Sequence, residues 1–218
     1  MILCIIQARM SSTRLPGKVL MPIAGKPILQ WVIDAARNSK LVDTVVVATS
    51  TEPEDDQIAD YASTKYVLFH LGKLNDVLDR FYRVALEHKP THIVRLTADC
   101  PMLDSRIIDR TIQCHLMGNY DYTHNVGFPD GLDVEIFTMQ ALTRAAKLAT
   151  EEYDREHVTS FMRNEMLFKV GEYRKLEIKN ITKEYRLEKY SVDTPEDYER
   201  IKEEAECLLS QKGCSNRP

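Results

Sequence analysis

The chain has 218 residues, of which 44% are hydrophobic and 28% are charged, and its formal net charge at pH 7 is −4. This composition is ordinary for a globular protein, and a chain of this length can bury about 70% of its extended surface, so we expect one domain with a sizeable core. The net negative charge argues against broad nucleic-acid binding, because any site for a polyanion would have to be local.

The sequence contains no apolar run as long as a membrane-spanning helix, and Met1 leads directly into a predicted strand rather than a signal peptide. The five cysteines are odd in number and include no C-x-x-C pair. Reduced thiols are the simplest interpretation of this pattern. We therefore expect a cytoplasmic protein that does not associate with a membrane.

The first predicted element is a short apolar strand, Ile2–Ile6, buried on both faces. It leads into QARMSSTRLPGK (residues 7–18), a loop with three cations, three hydroxyl side chains, a proline and a glycine. A cationic loop at the carboxyl end of a parallel strand lies where open α/β folds bind ligands, and its N–H groups with Arg and Lys favour phosphate. The alternative is a solvated basic loop on the surface. Val19 follows Gly17-Lys18, so this is not the phosphate loop of nucleoside triphosphatases.

Strands and helices alternate through the next hundred or so residues, as in a mostly parallel sheet with right-handed crossovers. The predicted strands are 44–49, 66–69 and 92–96, and the predicted helices are about 28–35, 54–65, 77–85 and 108–116. From Tyr120 the pattern changes to strands at 120–124 and 132–137, helices at 139–149 and 153–164, short strands within 166–191, and a helix after Asp193. No repeat or linker divides the chain, so a single domain, 1–218, is expected.

Two aspartates are candidates for binding a metal. Asp99 follows the strand at 92–96 and so lies at the same edge as the cationic loop, while Asp193 precedes the final helix. Either could instead cap a helix, but Asp104 and Thr194 are better placed for that role. Two carboxylates from separate strand ends suit Mg²⁺, which takes its remaining ligands from phosphate and water.

Asp133 and Glu135 fall on one face of a predicted strand, because side chains repeat every two residues. They fit a polar cleft that binds hydroxyl groups or a second cation, or else the solvent face of an edge strand. His157 lies near Tyr153 and Phe161 on a predicted helix. It is either a packed structural histidine or a proton acceptor or anion contact.

Residues Ile5–Lys26, IIQARMSSTRLPGKVLMPIAGK, resemble the opening signature of the cytidylyltransferases that activate acidic sugars. The resemblance is to the acylneuraminate cytidylyltransferase family, and within it to the spore-coat polysaccharide branch. The patterns D-G-x-D-V-E-x-F (130–137) and D-R-E-H (154–157) match the same branch in collinear order. The resemblance implies a three-layer α/β/α, Rossmann-like nucleotidyltransferase fold with a mostly parallel mixed sheet, as in nucleotide-diphospho-sugar transferases.

The same resemblance implies roles for the loop and for both acidic motifs. Gln7 and Ala8 would lie against the cytosine, while Arg9 and Lys18 would hold the triphosphate with support from Arg14. By the same similarity Asp99 and Asp193 would hold Mg²⁺, Asp133, Glu135 and His157 would face the sugar, and Gly72, Asn75, Asp76 and Asp79 would border the nucleotide.

The implied activity is transfer of CMP from CTP to an acidic sugar with release of pyrophosphate, for surface or spore-coat polysaccharide. Residues 1–119 would bind the nucleotide, and 120–190 would bind the sugar and form a homodimer. The dimer is suggested by the apolar residues Phe128, Phe137, Phe161, Met162 and Phe168. Two alternatives stay open: a sugar-phosphate nucleotidyltransferase or glycosyltransferase on the same fold, and a non-catalytic nucleotide-sugar-binding protein.

Overall fold

A computed structural model describes residues 1–164, 168–174 and 188–215. Its strands are β1 (Ile2–Gln7), β2 (Pro22–Ile23), β3 (Lys26–Pro27), β4 (Thr44–Ser50), β5 (Leu68–Gly72), β6 (His92–Thr97), β7 (Tyr122–Val126), β8 (Glu135–Thr138) and β9 (Val170–Arg174). Its helices are α1 (Ile28–Arg37), α2 (Asp56–Thr64), α3 (Val77–His88), α4 (Ser105–Gly118), α5 (Met139–Leu148), α6 (Glu152–Glu156), α7 (Ser160–Asn164) and α8 (Pro195–Ser215). Within the described ranges, no helix combines the length and the apolar character needed to cross a membrane.

In the part of the chain that the structure describes, seven strands form one sheet in the order β5-β4-β1-β6-β8-β7-β9. Every neighbouring pair is parallel except the two that involve β8, which runs antiparallel to both β6 and β7. The predicted mostly parallel mixed sheet is therefore confirmed. The loops after β1, β4 and β6 converge on one edge, because the carboxyl ends of parallel strands meet there.

Helices cover both faces of the sheet and create two cores. Along β1, Cys4 and Ile6 belong to one core and Leu3 and Ile5 to the other, because side chains alternate along a strand. The first core contains residues of α1, α2, α4 and α8, whereas the second contains residues of α3, α5 and α7. This arrangement is the three-layer α/β/α architecture expected from the sequence.

Some element boundaries differ from the prediction. The strand predicted at 66–69 begins only at Leu68, because Tyr66 leaves α2 in a left-handed conformation with φ 53°. The helix predicted at 153–164 is two helices, α6 and α7, separated around Val158, which also has a positive φ of 46°. Of the short strands predicted within 166–191, β9 is present, and residues 175–187 lie outside the described part of the chain.

Three of the aromatic and aliphatic residues that suggested a dimer surface are interior. Phe137, Met162 and Phe168 are buried in the second core, where they pack beneath α5 and α7. They stabilise the protomer and contribute little to its surface. The homodimer stays a prediction, without support from these three side chains.

Candidate functional site

The loop after β1 lines a cavity of about 260 Å³ at the carboxyl edge of the sheet. The rest of its wall comes from the end of β6 and the segment after it, from α3, from the end of α6, and from Asp193, two residues before α8. Eight of the predicted site residues line this cavity: Gln7, Ala8, Arg9, Arg14, Lys18, Asp99, His157 and Asp193. The topology therefore brings together residues that are widely separated in the sequence.

The cationic loop is held by hydrogen bonds around Met10. The carbonyl of Met10 accepts from the N–H groups of Ser12 and Gly17 at 2.8 and 2.9 Å, and its own N–H donates to Asp55 Oδ1 at 2.6 Å. Gly17 has φ 72°, a conformation that favours glycine. This turn ends the loop and places the Lys18 side chain in the interior, where the residue is only 7% exposed.

The ammonium group of Lys18 lies between the two aspartates predicted to hold a metal. Its Nζ donates to Asp99 Oδ2 at 2.7 Å and to Asp193 Oδ1 at 2.9 Å. A third hydrogen bond, to the carbonyl oxygen of Val192 at 2.6 Å, completes its three donors. The sequence predicted all three charged residues, but not that the lysine binds both carboxylates.

Backbone pairing explains why the two aspartates meet. The N–H of Val192 donates to the carbonyl of Asp99 at 2.9 Å, which joins the end of β6 to the start of α8. Helix capping is done by neighbours: the Asp104 side chain accepts from the N–H of Arg106, and Thr194 Oγ1 accepts from the N–H of Asp197 at 3.2 Å. Both carboxylates are thereby left to face the cavity.

Asp193 is held by three cations. Besides Lys18, its carboxylate pairs with Arg14 at 3.0 Å and with Lys189 at 2.9 Å. Burial opposes ionisation, but the hydrogen bonds from Lys189 and Lys18 lower the pKa of Asp193 below its ordinary value. Burial likewise opposes the charge of Lys18, yet Asp99 and Asp193 raise the pKa of its ammonium. The Asp193 carboxylate and the Lys18 ammonium are therefore both charged at neutral pH.

The pair of aspartates fits a divalent cation. Both already contact one cation, the Lys18 ammonium, which lies between their oxygens. Within the described residues, no group of three or more His, Cys, Asp or Glu side chains could hold a metal ion. A metal held by these two carboxylates would therefore need further oxygens from substrate and water, as Mg²⁺ commonly takes.

Two arginines at the cavity mouth remain open to solvent. The side chains of Arg9 and Arg14 are 45% and 61% exposed, and Arg9 pairs with Glu156 at 3.4 Å. Glu156 was not predicted as a site residue; it ends α6 and adds a carboxylate to the cavity wall. Both guanidinium groups can turn toward an anion, since exposed ion pairs contribute little.

His157 follows α6 and is exposed, with its ring 4.3 Å from that of Tyr153 between centroids. Its contact with Tyr153 agrees with the packed structural histidine, and its place in the cavity wall agrees with a contact to substrate, so both interpretations stay open. Its role toward a substrate stays a prediction.

Glu135 lies in the interior rather than in an open cleft. It is 4% exposed and begins β8, a central strand, so the edge-strand alternative is wrong. Arg95 and Arg163 both pair with its carboxylate, which also accepts from Tyr122 Oη at 2.6 Å and Thr159 Oγ1 at 2.8 Å. The strand predicted from residue 132 starts at Glu135 because the preceding residues form a loop.

Asp133 lies outside the strand that was predicted to contain it. It is exposed, and its carboxylate accepts from the N–H of Gly131 at 3.2 Å. The pairing of Asp133 with Glu135 on one strand face is therefore wrong. Their contact with a sugar stays untested and remains a prediction.

Arg95 connects the Glu135 cluster to the cationic loop. Its Nε donates to Gln7 Oε1 at 2.9 Å, while its Nη1 pairs with Glu135. Arg95 and Arg163 were not predicted as site residues. The available signal was the single cation Arg95 within the otherwise apolar run Ile93–Leu96 of β6.

Glu135→Gln is expected to lower the free energy of unfolding at pH 7 by about 3 kcal/mol, because it leaves two arginines without their buried counter-charge. Burial opposes ionisation, but Arg95 and Arg163 lower the pKa of Glu135 to about 2, against an ordinary 4.5. A lowered pKa stabilises the native state above the unfolded value, and this contribution is lost as pH falls through the folded value. Urea denaturation should show the wild-type advantage shrinking between about pH 4.5 and 2.

The matched control for Glu135→Gln is Glu199→Gln. Glu199 is a surface residue that faces Lys202 at 3.8 Å, so its substitution should change stability by less than about 0.5 kcal/mol. Equal stability losses in both variants would contradict the role of the buried cluster.

Four residues predicted to border the nucleotide are not among the described residues that line the cavity: Gly72, Asn75, Asp76 and Asp79. Asp76 caps α3 by accepting from the N–H of Asp79 at 3.0 Å. It also binds Arg155 through two hydrogen bonds of 2.9 and 2.7 Å. Asp76 thus fixes α6 against α3, and the cavity wall depends on it indirectly.

Comparison with known proteins gives one consistent result. Residues 3–214 match the sequence profile of a family described as cytidylyltransferase. The spore coat polysaccharide biosynthesis protein SpsF of Bacillus subtilis is 36% identical over 206 residues, which cover 92% of this chain and 85% of that protein. The 3-deoxy-manno-octulosonate cytidylyltransferase of Synechococcus elongatus is 31% identical over 131 residues, 59% of this chain and 52% of its own.

A solved structure agrees with these sequence matches. A cytidylyltransferase from Leptospira borgpetersenii superposes with a TM-score of 0.83 at 30% identity. The alignment covers 100% of this chain and 98% of the other. The shared architecture therefore includes the strand ends that form the cavity.

Proposed function

The chain belongs to the cytidylyltransferase family, and on that basis we propose that it transfers CMP from CTP to an acidic sugar, for polysaccharide biosynthesis. SpsF and the 3-deoxy-manno-octulosonate enzyme support this substrate class and pathway. The observation that carries the proposal is the contact of Lys18 with both Asp99 and Asp193, beside the exposed guanidinium groups of Arg9 and Arg14. Such a site can hold a polyphosphate together with its counter-ion.

The reaction forms a bond between a sugar hydroxyl oxygen and the α-phosphorus of CTP and breaks the bond from that phosphorus to the oxygen that bridges the α- and β-phosphates. That oxygen leaves as part of pyrophosphate, and the hydroxyl proton passes to solvent. Negative charge builds on the leaving pyrophosphate, so the protein mainly positions the reactants and neutralises charge. Lys18, Arg9 and Arg14 can provide that neutralisation. We propose that Asp99 and Asp193 hold a divalent cation, Mg²⁺ in particular, which when bound adds positive charge beside the phosphates.

A screen for pyrophosphate release tests the proposal. The four nucleoside triphosphates are each paired with acidic sugars and with sugar phosphates in millimolar Mg²⁺, and release is expected only with CTP and an acidic sugar. Release with a sugar phosphate would instead favour the sugar-phosphate nucleotidyltransferase alternative. Absence of release in every pairing, with nucleotide binding retained, would favour a non-catalytic binding protein.

Other features of the proposal are independent of this screen. We propose that residues 1–119 bind the nucleotide and 120–190 the sugar, within a single domain and a homodimer. A cytoplasmic location also stays a prediction.

A further inference from the structure

Arg80 is a buried arginine on α3, at the wall of the cavity. It lines the cavity, is only 2% exposed, and its Nε and Nη1 have no hydrogen-bond partner among the described residues. A buried donor without an acceptor costs free energy, and a charged one costs more. Since native proteins rarely leave such groups unsatisfied, the guanidinium calls for an acceptor that a ligand can supply.

The surrounding structure holds Arg80 in place. A Cβ added at Gly72 would lie 2.4 Å from Arg80 Cγ, so glycine at the end of β5 makes room for the arginine stem. Burial lowers the pKa of Arg80 to about 10, with Asp55 and Asp76 opposing this shift and Arg9 adding to it. The side chain is therefore still cationic at neutral pH.

Arg80 lies away from the two aspartates. Its stem packs on Gly72 at the end of β5, whereas Asp99 follows β6, and the order β5-β4-β1-β6 places three strand spacings, about 14 Å, between those strand ends. A nucleoside triphosphate carries its base and its phosphates at opposite ends. Lys18 and Arg80 line the same cavity, so a nucleotide with its α-phosphate beside Lys18 can extend its base toward Arg80.

We propose that Arg80 donates hydrogen bonds to the O2 and N3 acceptors of cytosine and so determines the preference for CTP. The inference rests on the proposed function. Arginine has five N–H donors and no acceptor, so it matches a base edge made of adjacent acceptors. Uracil presents an N3–H donor there, and the two donors would oppose each other.

The test measures binding without sugar, by calorimetry in millimolar Mg²⁺, with CTP, UTP, CMP and inorganic tripolyphosphate as probes. Arg80→Met should weaken CTP and CMP about 10- to 100-fold, as expected for a lost hydrogen bond to a charged group. It should bring the CTP-to-UTP affinity ratio close to one and leave tripolyphosphate binding within about threefold of wild type, because the base contact alone is removed. Lys73→Met, an exposed neighbour outside the cavity wall, is the control and should change none of these values.

Gly72→Ala provides a second route to the same answer. The new methyl group would displace the Arg80 side chain without removing its charge. The CTP-to-UTP affinity ratio should again fall toward one. This variant decides the question if Arg80→Met does not fold.

The remaining outcomes distinguish the inference from the function on which it rests. If Arg80→Met weakens tripolyphosphate as much as CTP, Arg80 is a phosphate contact and the inference is overturned. If Arg80→Met keeps the wild-type CTP-to-UTP affinity ratio, the inference is overturned as well. Wild-type protein that binds no nucleotide would overturn both the inference and the proposed function.

Discussion

Lys18→Met is expected to lower turnover about 100- to 1,000-fold while raising the KM for CTP less than tenfold. The reason is that a point cation beside the α-phosphate neutralises charge that grows as the transition state forms. The ammonium is engaged by Asp99 and Asp193, so it must exchange those carboxylates for phosphate when CTP binds. Steady-state kinetics over a range of CTP concentrations measures both constants.

A second measurement on Lys18→Met requires no activity. The ammonium and a divalent cation would bind the same oxygens of Asp99 and Asp193, so they compete. Removing the ammonium should therefore raise the affinity for Mn²⁺ in the absence of nucleotide, as measured by electron paramagnetic resonance of the free ion. An unchanged or weaker affinity would show that Lys18 does not occupy the metal position.

Lys26→Met is the matched control. It removes the same charge from a side chain that is half exposed and pairs with Asp34 at 2.6 Å, on the surface. Both kinetic constants and the Mn²⁺ affinity should stay at wild-type values. If Lys18→Met raises KM strongly and leaves kcat intact, Lys18 is a binding contact only.

The fold could be predicted because its signals are local. The Val-rich run Thr44–Thr49 and the helical periodicity of residues 77–85 can each be recognised from residues close together in the sequence. The alternation of such strands and helices along the chain then predicts a parallel sheet. Boundaries at Tyr66 and Val158 were missed, because a left-handed backbone at a residue other than glycine has no clear local signature.

The candidate site was predictable only in part. Residues at strand ends, such as Asp99 and the cationic loop, follow from topology once the strands are known. The contact between Lys18 and Asp193 joins positions 175 residues apart, and spacing says nothing about such a contact. Glu135 was misplaced for a similar reason: its surroundings depend on how strands and helices pack across the sheet.

Asp193→Asn is expected to lower turnover at least 100-fold and to shift the Mg²⁺ concentration for half-maximal activity upward by a similar factor. Asparagine keeps the shape of the side chain but removes a hard anionic oxygen, and Mg²⁺ dehydrates only for strong oxygen ligands. The carboxylate also faces Lys18, Lys189 and Arg14, so the variant loses native ion pairs as well. Pyrophosphate release against Mg²⁺ concentration measures the metal dependence.

Thr194→Ala separates that effect from the loss of stability. Thr194 caps α8 through the N–H of Asp197, so alanine should cost about 1 kcal/mol of stability while leaving the carboxylates of Asp99 and Asp193 in place. Stability without metal is compared by urea denaturation, and turnover by the same Mg²⁺ titration. If Thr194→Ala is destabilised but keeps the wild-type Mg²⁺ midpoint, instability cannot explain the behaviour of Asp193→Asn. If instead Asp193→Asn itself keeps wild-type turnover and midpoint, Asp193 is not a metal ligand, and the cation must bind through Asp99 and the phosphates alone.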